Sequence, residues 1–316
     1  MVPSLAFMLT PSKRRMLYPK RRPSLVFILA ITVITTLSIA AQSSSKGSSL
    51  PQRDQRVEAR LLSNRTHVGP GETWWVALEL RHDPTWHTYW VNGGDAGVAT
   101  RIQWTLPEGI TAGPVQWPPP QVVKMGQLDV YGYEGTCLLL TSFRMDPKLA
   151  LPDTLEIKAF VTWMMCSQTC LPGKGVHLDL RLGIKESPGK PMSSKWADQV
   201  GKAARKLPSP APDRMFNGMY DPGAQRFTLQ WSSFPRGAGM EAEDVYFFDT
   251  TQQITSNQAQ KLEQSRNGWQ LTLARAGYAS KLPRWIEGLF RWKAAGAAEP
   301  YRWLKLKVPL RTDQGE

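Results

Sequence analysis

The 316-residue chain has three cysteines, four histidines and no acidic residue before Asp54. Three cysteines are too few for the dense disulfide framework that holds small secreted domains together. His82 and His87 lack a further ligand at usable spacing, and His67 and His177 are isolated, which weighs against a zinc motif. A Gly-x-Ser-x-Gly elbow, a His-Glu-x-x-His helix and a phosphate loop are all missing, which argues against a hydrolase or nucleotide enzyme. Basic residues do not cluster among aromatics as in a nucleic-acid groove. Long apolar runs are scarce too. Leu25 to Ala41 falls short of the roughly 20 residues of a spanning helix and is interrupted by Thr32, Thr35 and Thr36.

Lys20, Arg21 and Arg22 precede that run, and Ser38-Ile39-Ala40 supplies a small-residue exit. Residues 1–41 therefore read as a secretory signal peptide, with a retained N-terminal anchor as the alternative. Met16-Leu17-Tyr18 would make a more ordinary start than Met1, and Pro-Ser-Leu after Arg21-Arg22 is a poor twin-arginine context. The formal net charge is +13, but six of the 39 basic residues and none of the 26 acidic ones lie in this leader, leaving +7 for the rest. A mildly basic exported protein is the expectation.

Residues 42–55 are Ser-rich and polar, as in a tether. From residue 56 to 185 the text is strand-like. Trp74, Val76, Leu78 and Leu80 alternate with Trp75, Ala77, Glu79 and Arg81. Ile102-Trp104-Leu106, Leu155 through Trp163 and Val176 through Leu182 repeat the pattern. Period-two runs between Gly, Pro, Asn and Asp clusters, with no helices between them, predict a β-sandwich. Residues 186–212 form a Pro-rich linker in which Ser194 could cap a short helix with Trp196, Val200, Ala203 and Leu207 on one face. Strand text resumes over 213–311, enough for a second sandwich. Seven of the thirteen Trp precede the linker and five follow it, so each half has large side chains for a core. The predicted fold is all-β, two immunoglobulin-like sandwiches joined by a short helical linker.

Cys166 and Cys170 sit in Trp163-Met-Met-Cys-Ser-Gln-Thr-Cys-Leu-Pro172, between two alternating runs. A tight turn at Ser167-Gln168-Thr169 would set the two thiols facing across an antiparallel pair, within disulfide reach. As a staple, so small a loop contributes only about 2 kcal/mol. In an exported chain the pair reads better as a redox site. Cys137 opens the apolar run Leu138 to Leu140 and reads as a buried core thiol.

Thr85-Trp-His-Thr-Tyr-Trp-Val-Asn-Gly-Gly-Asp-Ala-Gly, Ile102-Gln-Trp-Thr-Leu-Pro-Glu-Gly, Trp117-Pro-Pro-Pro, Tyr131-Gly-Tyr-Glu and Trp163-x-x-Cys-x-x-x-Cys-x-Pro occur in this order. Together, from about Val57 to Ile184, they resemble the exported N-terminal domain of DsbD-like thiol:disulfide interchange proteins, the ScsB type above all. The second half resembles the second immunoglobulin-like domain of that type. The resemblance implies a periplasmic electron relay of protein-disulfide reductase character. Cys166 and Cys170 would be the exchanging pair. They would take electrons from a membrane-embedded DsbD-type transmembrane protein and reduce periplasmic thioredoxin-like oxidoreductases. It also makes Trp163, Pro172, Tyr131 and Tyr133 supporting residues, the aromatic ones as shields against indiscriminate oxidation. Relatives commonly continue into a multi-span membrane domain and a thioredoxin-like domain. This chain stops at Glu316 without either, so the expectation is a separate membrane donor or a chain that has lost the relay and kept the fold.

No cofactor is expected. The nearest cation in sequence to the pair is Lys174, so the thiols are expected to react mainly when docked to a partner. Two other readings stay open. One is a non-catalytic interaction module with a permanently closed disulfide. The other is a copper-linked binding protein, since Met164, Met165 and the cysteines are soft ligands. Adjacent methionines on a strand point to opposite faces, which weighs against one shared metal site. Asn92-Gly-Gly-Asp-Ala-Gly looks like a ligand loop but is assigned no chemistry. Neither nucleic acid nor a membrane beyond an N-terminal anchor is expected as a partner.

Overall fold

The computed structural model describes residues 46–148, 154–186, 190–234, 242–279, 281–294 and 301–312. The expected signal or anchor over 1–41 lies outside them. No helix among the described residues is long and apolar enough to cross a membrane.

The first half opens with β1 (Gln52–Asp54), β2 (Val57–Ser63), β3 (His67–Val68), β4 (Thr73–His82), β5 (His87–Gly94), β6 (Arg101–Thr105) and β7 (Ile110–Ala112). It continues with β8 (Gln121–Met125), β9 (Leu128–Glu134), β10 (Thr136–Met145), β11 (Thr154–Thr162), β12 (Met164–Cys166), β13 (Cys170–Pro172) and β14 (Val176–Ile184). They form three sheets, in the orders β1-β2-β4-β10-β7, β3-β14-β11-β6 and β13-β12-β5-β9-β8. The alternating residues behave as period two requires. Trp74, Val76, Leu78 and Leu80 meet Leu155, Ile157, Leu178 and Leu180 in one core.

The other face of the first sheet is covered as well. The linker's helix α1 (Ala197–Arg205) packs Val200 against Leu62, Ala77 and Leu140, with Trp196, Ala203 and Leu207 beside them. Glu79, on this covered face, is 1% exposed. Arg60, Arg81 and Gln199 of α1 all donate to its carboxylate, so a residue that reads as solvent-facing by alternation is a buried, fully partnered charge. Ser194 is not the helix cap. Its Oγ accepts from the Trp196 N–H at 3.0 Å and donates to the Ser63 carbonyl, while Trp196 itself holds the cap position without a side-chain bond.

The expected tether is corrected over 46–55. Ser48 and Ser49 are buried, Ser49 N donates to Leu61 O at 2.9 Å, and β1 pairs with β2. Small serine side chains permit this close approach, and the Ser49 hydroxyl accepts a backbone N–H from Leu61. Polar composition does not exclude an edge strand, whose outer side faces water.

The second half comprises β15 (Ser209–Pro210), β16 (Asn217–Asp221), β17 (Arg226–Trp231), β18 (Ala242–Asp249), β19 (Lys261–Ser265), β20 (Gly268–Ala274), β21 (Trp285–Ala294) and β22 (Arg302–Thr312). β22 pairs antiparallel with β21 through Pro309, then parallel with β16 from Leu310 onward. It thereby passes from one layer to the other, as corner strands of sandwiches do. Between the layers lie Phe227, Leu229, Phe247, Leu271, Phe290 and Leu306.

The two sandwiches share buried surface. Phe248 and Leu289 belong to the core of the first, where Phe248 meets Trp90 and Tyr131 edge-on. Tyr131 and Tyr246 join their hydroxyls at 2.9 Å.

Candidate functional site: a half-buried disulfide

Met164 to Cys166 and Cys170 to Pro172 are too short to be stable strands alone. They persist because β12 is paired on its other side with β5, Cys166 opposite His87 and Met165 opposite Thr88. Ser167 N donates to Thr169 O at 3.2 Å and closes the turn. Cys166 and Cys170 stand directly opposite each other, Cα atoms 4.1 Å apart, and are joined by a disulfide. Pro172 lies on the sheet's edge strand, where a missing N–H costs nothing. Below it, Gly173 N donates to the Trp163 carbonyl at 2.8 Å.

The two sulfurs are not equivalent. Cys166 is fully buried and Cys170 is exposed. Cys166 packs with Tyr89 and Val130, flanked by Ala96, Val123, Met125, Leu128 and Met164. Tyr89 Oη donates to Cys166 Sγ at 2.8 Å and lies 3.7 Å from Cys170 Sγ. Burial raises the Tyr89 phenol to about 12, so it keeps its proton at neutral pH and can only donate to a thiolate.

Residues around the turn complete the site. Thr85 sits at φ 69°, a costly conformation for a β-branched residue. Its Oγ1 lies 3.1 Å from Ser167 Oγ, tying the β4–β5 loop to the cysteine turn. His87, opposite Cys166, is 2% exposed, meets the Tyr89 ring edge-on at 5.2 Å and has a buried Nε2 without a partner. Burial lowers its pKa. His82 is lowered for the same main reason, although its ring bonds Gly135 O and Thr88 Oγ1, each at 2.8 Å. A groove runs beside the turn, lined by His87, Val123, Lys124, Met125, Glu134 and Gln168.

The structure divides the residues expected to support the pair. Trp163 and Tyr133 are buried in the main core, Tyr133 with its hydroxyl on Pro118 O at 2.7 Å. Tyr131 is buried there too and points its hydroxyl at the second sandwich. None of the three belongs to the cluster that encloses Cys166. That role falls to Tyr89 and its neighbours, which sequence reasoning did not single out. The available signal was spacing. His87 and Tyr89 alternate with Thr88 on one strand, so both face the same side once β12 is placed next to it. Met164 packs with Cys166 while Met165 enters the main core, on opposite faces as alternation requires. Cys137 is free and buried, and burial pushes its thiol far up.

Residues 58–181 match the family described as Thiol:disulfide interchange protein DsbD, N-terminal. This segment is a DsbD-like N-terminal domain. The match spans both cysteines and all of β5. The N-terminal periplasmic domain of ScsB from Proteus mirabilis superposes with a TM-score of 0.57 at 17% identity, covering 84% of this chain and 99% of that one. The fold of this chain thus follows that protein beyond the DsbD-like domain and into the second sandwich. The reduced DsbD N-terminal domain of Neisseria meningitidis is also matched, at a TM-score of 0.23 and 10% identity over 46% of this chain and 92% of that one. No curated protein matches the chain in sequence.

Proposed function

We propose that this chain is a periplasmic thiol:disulfide relay of the ScsB type, working through Cys166 and Cys170. It receives electrons from a membrane-embedded dithiol protein and passes them to thioredoxin-like oxidoreductases. The observation that carries this reading is the asymmetry of the disulfide. One sulfur is open to attack and the other is buried against a phenol that donates to it. In the first step a donor thiolate attacks Cys170 Sγ. A donor–Cys170 disulfide forms, the Cys166–Cys170 bond breaks, and the electron pair leaves on Cys166 Sγ, stabilised by the Tyr89 O–H. The donor's second thiol then resolves the mixed disulfide, and protons taken up at Cys166 and Cys170 complete a two-electron transfer. Oxidation by an acceptor disulfide reverses these steps.

The exchanging unit is the first sandwich, residues 56–185, joined through the 186–212 linker to a second domain over 213–311. Export would place the pair in the oxidising compartment where such a relay is needed. A redox titration against glutathione, with alkylation of free thiols, tests the reading. A reversible couple between roughly −200 and −270 mV is expected. A couple below about −300 mV would make the disulfide a structural staple.

A further inference from the structure

The end of β5 and the turn that follows it, Asn92 to Gly97, touch the redox face on one side and the second sandwich on the other. Gly97 lies flat on the Tyr89 ring, with φ +100°, and a Cβ there would come within 2.2 Å of the ring carbons. The loop therefore backs the phenol that reaches Cys166. Across the loop, Asn92 is 1% exposed, and its Nδ2 donates to the Asp249 carbonyl at 2.7 Å. Its Oδ1 accepts from Gly94 N at 3.0 Å, so one side chain both folds the loop and ties it to the second sandwich. Gly94, at φ +75°, is packed between the two sandwiches, and a Cβ there would meet the Asp129 carbonyl at 2.7 Å and Ser256 Oγ at 2.9 Å.

The anchor on the far side is rigid. The buried Asp249 carboxylate accepts from Thr251 N, Thr251 Oγ1, Gln253 N and Ile254 N, which locks the 249–254 turn. We propose that the second sandwich positions Tyr89 against Cys166, acting through Asn92 and the loop to Gly97. Asn92 and Asp249 are positioning residues, since neither touches a sulfur. This assigns the second half of the chain a part in the exchange proposed for Cys170 and rests on that reading.

The test measures how fast dithiothreitol reduces the disulfide in the full chain, with free thiols trapped by alkylation. Asn92→Asp keeps the acceptor for Gly94 N and replaces the donor to Asp249 O with a carboxylate oxygen that faces that carbonyl. Gly94→Ala displaces the loop from Ser256 and from the Asp129 carbonyl together, a different route to the same loss of position. Each is expected to slow reduction about fivefold, in line with weakening one hydrogen bond to the leaving thiolate. Each is expected to have no further effect in a Tyr89→Phe background, because the phenol is what the loop positions. Leu229→Ala, in the second core away from the loop, is expected to leave the rate within twofold of the parent. Unchanged or faster reduction in both loop variants overturns the proposal. So does equal slowing with and without the Tyr89 hydroxyl, or equal slowing by Leu229→Ala. If Asn92→Asp does not fold, Gly94→Ala carries the same comparison. Dithiothreitol opens the disulfide whether or not a physiological partner exists, so a staple-like potential would sink the relay while leaving this rate comparison readable.

Discussion

Tyr89 Oη donates a 2.8 Å hydrogen bond to Cys166 Sγ, the buried member of a disulfide whose other cysteine is exposed. A phenol raised to about 12 keeps its proton throughout the neutral range. It is thus a constant donor to whatever charge develops on that sulfur.

Tyr89→Phe removes the donor and keeps the ring. Hydrogen bonds to charged groups contribute about 1.5–3 kcal/mol, so reduction by dithiothreitol should slow by about tenfold or more. Stopped-flow or quenched alkylation at pH 7 measures it. A rate equal to that of the parent would mean the phenol takes no part in stabilising the leaving thiolate.

The single-cysteine variants should differ sharply. Cys166→Ser leaves the exposed Cys170 thiol, and Cys170→Ser leaves the buried Cys166 thiol. Alkylation by iodoacetamide should be at least about tenfold faster for the first, and only that variant should accumulate mixed disulfides with an oxidised thioredoxin-like protein, whose own disulfide is opened by the Cys170 thiolate. Cys137, buried in the core, serves as a slow internal reference. Equal reactivity of the two variants would remove the basis for assigning Cys170 as the attacked sulfur.

Glu79 joins the first sandwich to α1. Burial works to raise its carboxyl, but the bonds from Arg60, Gln199 and Arg81 outweigh it and hold the group below its ordinary value. Glu79→Ala leaves Arg60 without its carboxylate and should lower unfolding stability by about 3 kcal/mol in urea titrations. Glu79→Gln should cost less. A loss below about 1 kcal/mol for the alanine variant would show that α1 docks through its apolar face alone.

Acid should destabilise the fold through its two buried histidines. Burial lowers both His82 and His87, so below about pH 6.5 the unfolded chain binds protons that the folded chain refuses. The stability present above that pH is lost as pH falls, at up to about 1.4 kcal/mol per pH unit for each histidine. Thermal unfolding midpoints at pH 7.5 and 5.5 measure this, and His82→Gln should reduce the difference. A midpoint that stays level or rises on acidification contradicts the buried neutral state of these rings.

The alternation of Trp74 to Leu80 and of Leu155 to Trp163 was enough to read strands, sheets and the inner faces of the first sandwich, because burying one face of a sheet forces a period of two. The spacing of Cys166 and Cys170 around a three-residue turn was enough to read the pair as facing thiols, since opposed positions on antiparallel strands are close whatever lies around them. Family motifs marked β5 without saying which of its side chains mattered. Only the tertiary structure decided that Cys166 is buried and Cys170 is open, that Tyr89 rather than Tyr131 or Tyr133 reaches the sulfur, and that Glu79 is covered by a helix 120 residues on. The same holds for Asn92, whose partner Asp249 lies 157 residues away in the second sandwich. Local pattern records which face of a strand is apolar. It carries no information on which distant element is laid against that face, and burial, hydrogen-bond partners and the reactivity of a sulfur all depend on that placement.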